Sequence, residues 1–217
     1  MGDPARRLQA ATGVGGSGRR KGGSRRKPPV AFSVEELRAL LDAITGPQRL
    51  RDVALVTTTY HQAWRGSEAC QATVGNVDWS RMLFTVYRRK TDDWIEQAIH
   101  PQAARELQAY LHARRLAART IALEPGAPLF ESLRGGPLTR NGFWRLLKKW
   151  GACAGLPAHK CRTHTLRHSK AQAMRRAGAN LEDIQAWLGH SSIAVTADFY
   201  LHASDEEVSA AAFADVL

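Results

Sequence analysis

"GANLEDIQAWLGHSSIAVTADFYLH", residues 178 to 202, reads as two helices and the corner between them. Gly178 and Gly189 fall where helices stop, because glycine enters the left-handed conformation that ends a helix without a steric penalty. Asn180 stands where the first of the two starts, and Ser191 or Ser192 where the second does. His190 therefore sits on the corner, and Tyr200 follows ten residues later on the second helix.

Working outward, the preceding segments carry the same signature. "HTLRHSKAQAMRRAG", "TRNGFWRLLKKWGACAG" and "QAARELQAYLHARRLAA" are helical in pattern, and Gly155 marks another helix stop. Between residues 73 and 100, "TVGNVDW", "MLFTVYRR" and "WIEQAIH" are short runs rich in β-branched and aromatic residues, broken by Gly, Asn and "KTDD". They predict a small antiparallel sheet. Further back, "LRDVALVTTTYHQAW" predicts a buried helix. "FSVEELRALLDAI" predicts a helix capped by Ser33, with Glu36 at the capping-box position and Leu37, Leu40, Leu41 and Ile44 on one face. The fold class is mainly α with a small antiparallel β-sheet (α+β), in one domain over residues 31–217.

The chain has 217 residues, 44% hydrophobic and 24% charged, which suits a globular domain with a real core. No apolar run approaches the roughly 20 residues of a membrane helix, and no apolar signal segment opens the chain. Three cysteines at scattered spacing, Cys70, Cys153 and Cys161, argue against a disulfide scaffold. Cys153, His159, Cys161 and His164 lack the paired spacing of a structural zinc site. The expected location is the cytoplasm, in association with the nucleoid and not with a membrane.

Charge is unevenly placed. Residues 1–30 hold eight Lys or Arg against one Asp, while the remainder carries a net charge of only +4. This Gly-rich tail, with no apolar periodicity, is expected to be disordered. Its Arg19, Arg20, Lys21, Arg25, Arg26 and Lys27 form either a solubilising leader or an arm that grips phosphates.

One cluster in the folded part asks for a ligand. His164 and Arg167 are three residues apart and so share a helix face. A permanently charged guanidinium beside an imidazole needs an acceptor. Taken with the "LGH" corner and Tyr200, the pattern resembles the catalytic domain of the tyrosine site-specific recombinases, the phage integrase family. That family carries an arginine in a "GLRxSEL"-like segment, a lysine on a β-hairpin, an H-x-x-R box, an "LGH" corner and a nearby tyrosine. "AWRGSEAC" supplies Arg65, "RRKTDD" supplies Lys90, "HTLRH" supplies His164 and Arg167, "LGH" supplies His190, and "TADFYLH" supplies Tyr200.

The resemblance implies DNA strand cleavage and rejoining through a covalent 3′-phosphotyrosine, with double-stranded DNA as partner and no cofactor or metal. The residue types suit that chemistry. A phosphodiester gathers charge on its non-bridging oxygens during transfer, and two fixed guanidiniums meet it there. A free phenol has a pKa of about 10, so at pH 7 its anion lies about 4 kcal/mol uphill, a deficit that nearby cations and a basic imidazole offset. The resemblance further implies a homo-tetramer on DNA and a monomer off it, with "DEEVSAAAFADVL" either exchanged between protomers or folded back on its own core. Two other activities share this site: a type IB topoisomerase-like relaxation, and a DNA-binding remnant without catalysis.

Two departures from the family stand out. Relatives usually carry an N-terminal helical DNA-binding domain, which this sequence does not show; either the sequence is a fragment of a longer chain, or the basic tail supplies a sequence-blind, salt-sensitive grip in its place. Where they read Thr-Gly-Leu before the first arginine, this chain has Gln62, Ala63 and Trp64. If the glycine serves a positive φ, Ala63 carries about 1 kcal/mol of strain. Trp79, Trp94, Trp144, Trp150 and Trp187 are read as packing aromatics.

Overall fold

The computed structural model describes residues 30–88 and 92–189. The described residues hold seven α-helices, a short 3-10 turn at Val74–Asn76 and one three-stranded sheet: α1 (Val34–Asp42), α2 (Arg49–His61), α3 (Gly66–Gln71), β1 (Val77–Asp78), β2 (Leu83–Arg88), β3 (Asp93–Ala98), α4 (Pro101–Ala118), α5 (Arg140–Cys153), α6 (Thr163–Arg176) and α7 (Leu181–Leu188). The expected α+β class is what the chain adopts.

Local chemistry explains the element boundaries. Ser33 Oγ accepts the Glu36 N–H at 3.1 Å, and Glu36 Oε2 accepts the Ser33 N–H at 2.8 Å, closing the capping box of α1. Asn180 caps α7 by accepting the Asp183 N–H at 2.7 Å. Gly155, Gly178 and Gly189 all adopt positive φ, as the three expected helix stops require.

α2 is the central element: Val53, Ala54, Leu55 and Val56 are all buried, and the helix packs on α4 and α6. An all-round buried helix has no polar face, which is why amphipathic periodicity is weak in its sequence. Within it, Asp52 bonds Arg51 and accepts from Trp150 Nε1 at 2.9 Å, so the buried carboxylate is fully engaged. The sheet runs β1-β2-β3, antiparallel throughout, with Phe84 opposite Gln97 and Arg88 opposite Asp93.

A second, smaller apolar cluster lies apart from the main core. Ala63, Ala171, Ile184 and Leu188 form it, with Trp187 packed against it. It joins the turn after α2 to α6 and α7, and thereby fixes the three segments that carry the polar cluster described next.

Two of the tryptophans read as packing residues are not core. Trp94 is 59% exposed and Trp144 41% exposed, while Trp150 is buried. Neither exposed ring sits on an inward-facing position, so an aromatic type alone misled the reading.

Candidate active site

Two chain segments converge on one carboxylate. Arg65 caps α3 and folds back on Glu68: its N–H donates to Oε2 and its Nη1 donates to Oε1, each at 2.7 Å. Arg167, on α6, places Nη1 4.0 Å from the same Oε2. Glu68 is buried while Arg65 keeps 20% of its side chain exposed, so one guanidinium faces solvent from a fixed base. The pairing of Arg65 with Glu68 and the gathering of Arg65 with Arg167 therefore coexist.

Glycine at position 66 makes this approach possible. A Cβ built there would fall 2.9 Å from Thr163 Oγ1 and 3.1 Å from two carbons of the same side chain. The bare backbone thus lets the start of α3 lie against the start of α6, which brings Arg65 close to His164. His164 is solvent-exposed in the first turn of α6, yet its ring is partly desolvated. That desolvation, then the charges of Arg167, Arg140 and Arg65, hold its pKa below the usual imidazole value, with Glu68 opposing them.

Arg167 is held from behind by the backbone. Nη1 donates to the Ala63 carbonyl at 2.6 Å, and Nη2 donates to the Leu188 carbonyl at the end of α7. Ala63 sits at φ +50, in the left-handed region, so the loop keeps the conformation expected of a glycine at that position. His168 is half-buried, and burial followed by the charges of His164 and Arg167 lowers its pKa to about 4.

Arg88 also reaches this cluster, a placement the sequence reading missed. It is buried at 1% exposure and donates to the backbone carbonyls of Trp187 and Leu188. The signal was present in the strand parity, because Phe84, Val86 and Arg88 share the inward face of β2. Glu68, by contrast, stands three residues after Arg65 at a capping-box position, a spacing that by itself offers a buried ion pair as the alternative reading of Arg65.

His164 opens onto a groove of about 720 Å³ lined by Arg140, Trp144, Lys148, His159 and Arg162, with no acidic residue among its described walls. Lys148 Nζ lies 4.8 Å from the centre of the Trp144 ring. Of the other residues read as functional, Lys90, His190, Tyr200 and the tail residues Arg19, Arg20, Lys21, Arg25, Arg26 and Lys27 lie outside the described residues, as does the 205–217 stretch. Among the described residues, no group of three or more His, Cys, Asp or Glu is gathered as a metal site needs.

Comparison with known proteins places this geometry in context. The family model described as "Phage integrase family" matches residues 31–207. The tyrosine recombinase XerC of Herpetosiphon aurantiacus is 34% identical over 182 residues, covering 82% of this chain and 57% of that protein. XerD of Corynebacterium glutamicum is 36% identical over 179 residues, covering 80% and 57%. The chain thus spans a little over half the length of these curated relatives. Among solved structures, the XerA recombinase aligns with a TM-score of 0.71 at 26% identity, over 84% of this chain and 63% of that one. XerH bound to its difH substrate aligns with a TM-score of 0.65 at 21% identity, over 80% and 50%, a likeness that concerns the fold alone.

Proposed function

The chain belongs to the phage integrase family, and from that premise we propose that it cleaves and rejoins DNA strands at a specific site. The observation that carries this reading is the double anchoring of Arg65 and Arg167 on Glu68, beside His164 and at the end of a basic groove. Cations held so firmly, with one of them open to solvent, suit an anionic ligand that arrives from outside.

In this reading Arg65 and Arg167 hold the two non-bridging oxygens of the scissile phosphate. The guanidinium forks match those oxygens, and the anchors behind them mean that little reorganisation is needed as charge grows. His164, its pKa held low, is mostly neutral at pH 7 and so accepts the Tyr200 phenol proton. The Tyr200 oxygen forms a bond to phosphorus while the bond to the 5′-oxygen breaks. Lys90 gives that oxygen its proton, and His190 donates a hydrogen bond to the phosphate. Rejoining reverses each step: an incoming 5′-hydroxyl attacks the phosphotyrosine, its proton returns to Lys90, and Tyr200 leaves as the phenol. The bond energy stays in the covalent link, so no external energy source is needed.

The partner is duplex DNA, gripped along the basic groove and by the basic residues of the tail. Relatives named as recombinases support recombination over relaxation as the outcome, and four copies on two duplexes is the assembly that strand exchange calls for. The test is covalent capture. Incubated with a nicked duplex that loses its 5′-terminal fragment on cleavage, the wild type should yield an SDS-resistant adduct and Tyr200→Phe should yield none while still binding. An adduct that persists in Tyr200→Phe, or a wild type that forms none, overturns the reading.

A further inference from the structure

We propose that Arg88 is a positioning residue for the cleavage step, acting through Arg167 without touching DNA; this rests on the reading that Arg167 holds the scissile phosphate. Arg88 occupies the third inward position of β2, after Phe84 and Val86, where strand parity calls for an apolar side chain. A buried cation is costly there unless it is paired. Its partners are the carbonyls of Trp187 and Leu188, the latter of which also accepts from Arg167 Nη2.

Two guanidiniums from different elements therefore meet at one carbonyl. Those carbonyls close α7, where the last turn of a helix leaves acceptors unused and the helix dipole is negative. The forked geometry of arginine spans two successive carbonyls, which the single ammonium of lysine does not do in one fixed arrangement. The neighbouring strand reinforces the clamp: Gln97, opposite Phe84, donates to Gln62 O at 3.0 Å and accepts from Trp64 Nε1 at 3.0 Å. Trp187 Nε1 in turn donates to His61 O at 3.1 Å.

Gly189 completes the arrangement. It sits at φ +61, and a Cβ built on it would overlap the Arg88 guanidinium. The position is thus closed to other residues on two counts, backbone conformation and space. Arg88 further sits within electrostatic reach of Glu68 and Arg65. The cluster consequently holds three guanidiniums around one carboxylate, and only those of Arg65 and Arg167 are assigned to the phosphate. With Arg88 removed, the Leu188 carbonyl loses one of its two anchors and α7 is free to shift against β2, which takes the Arg167 fork out of aim.

The experiment compares single-turnover cleavage of a nicked duplex by the wild type, Arg88→Met and Gly189→Ala in the full chain. Each is tested on a natural phosphodiester and on a duplex with a methylphosphonate at the scissile position, which lacks one anionic oxygen and so depends less on the guanidiniums. Arg88→Met should lower the maximal cleavage rate on the phosphodiester by about 10²-fold, the scale of losing one aligned donor. Its duplex Kd should stay within about twofold of the wild type, and the rate deficit should shrink at least tenfold on the methylphosphonate. Gly189→Ala, which pushes on the same guanidinium, should behave alike and keeps the test informative if Arg88→Met fails to fold. Equal deficits on both substrates, or a wild-type rate in a folded Arg88→Met, would overturn the proposal. A wild type that forms no adduct on either substrate would instead reject the cleavage reading itself, and this proposal with it.

Discussion

Ala63 accepts a hydrogen bond from Arg167 Nη1 at 2.6 Å through its carbonyl, and it does so from a backbone φ of +50. The carbonyl that steadies the Arg167 guanidinium is thus supplied by a residue in a conformation that L-amino acids avoid. The left-handed region costs a non-glycine residue roughly 1–2 kcal/mol. The surrounding cluster of Ala171, Ile184 and Leu188 holds it there, because the Ala63 methyl group is fully buried among them.

Substitution at Ala63 separates strain from packing. Ala63→Gly relieves the strain but loses about 0.8 kcal/mol of buried methyl and adds about 0.5–1 kcal/mol of unfolded-chain entropy. Its unfolding free energy should stay within about 1 kcal/mol of the wild type. Ala63→Val puts a branched side chain into both the forbidden conformation and a filled space, and should lose more than about 2 kcal/mol. Chemical denaturation of the three proteins checks the ordering, and an Ala63→Val protein as stable as the wild type would show that the turn is not held as described.

The acid limb of the cleavage reaction reports on His164. As the proposed base for the Tyr200 proton, it must be neutral, and partial burial together with Arg167, Arg140 and Arg65 favours the neutral ring. Cleavage should therefore persist below pH 6.5 and fall only once the lowered pKa is passed. Arg140→Gln removes one cation, stabilises the imidazolium and should move the acid limb upward. A rate that falls already through pH 6.5 in the wild type, unmoved in Arg140→Gln, would remove His164 from the base role.

Much of this arrangement was legible in the sequence. Caps at Ser33 and Asn180 and stops at Gly155, Gly178 and Gly189 depend on nearby residues alone, so local pattern sufficed. The H-x-x-R spacing placed His164 and Arg167 on one helix, and the missing family glycine foretold the strained turn at Ala63. Arg88 escaped because its role arises from long-range packing. Arg88 looked like one of three consecutive basic residues on a hairpin, and only the α7 carbonyls nearly a hundred positions later give it a purpose. The exposed rings of Trp94 and Trp144 escaped for a related reason, since burial follows from which face a neighbour covers and not from side-chain type.

Away from the site, a stacked histidine pair contributes to the acid sensitivity of the fold, as does the half-buried His168 ring. His61 lies fully inside, its ring 3.6 Å from that of His100, with Nε2 donating to Gln102 Oε1 at 3.2 Å and Nδ1 buried without a partner among the described residues. Burial first, then His100 and Lys170, lower its pKa to about 3. The unfolded chain takes up this proton below about pH 6.5 and the folded chain does not, so stability is complete above pH 6.5 and is lost as pH falls from there toward about 3. Each pH unit in that window costs about 1.4 kcal/mol, or about 2 kcal/mol by pH 5. His61→Phe keeps a ring in the stack and removes the titration. Its loss of unfolding free energy between pH 7 and pH 5 should be about 2 kcal/mol smaller than that of the wild type, and an unchanged loss would assign the acid sensitivity elsewhere.

The basic groove beside His164 predicts how binding responds to salt. Arg140, Trp144 and Lys148 recur at intervals of four along α5 and so form one stripe facing the groove, to which Arg162 adds a charge from the turn before α6. If Lys148 and Arg162 each neutralise one phosphate, each contributes about 0.9 to the slope of log affinity against log salt, through release of condensed counterions. Lys148→Gln combined with Arg162→Gln should flatten that slope by about 1.8. Trp144 carries no charge, and its ring is exposed on the groove wall. Trp144→Ala should accordingly weaken binding by a factor that stays constant across salt concentrations. Fluorescence anisotropy titrations of a labelled duplex from about 50 to 200 mM salt distinguish these two behaviours. A slope unaltered in the double variant would mean that the duplex takes another path across the protein and that the groove's charge faces solvent.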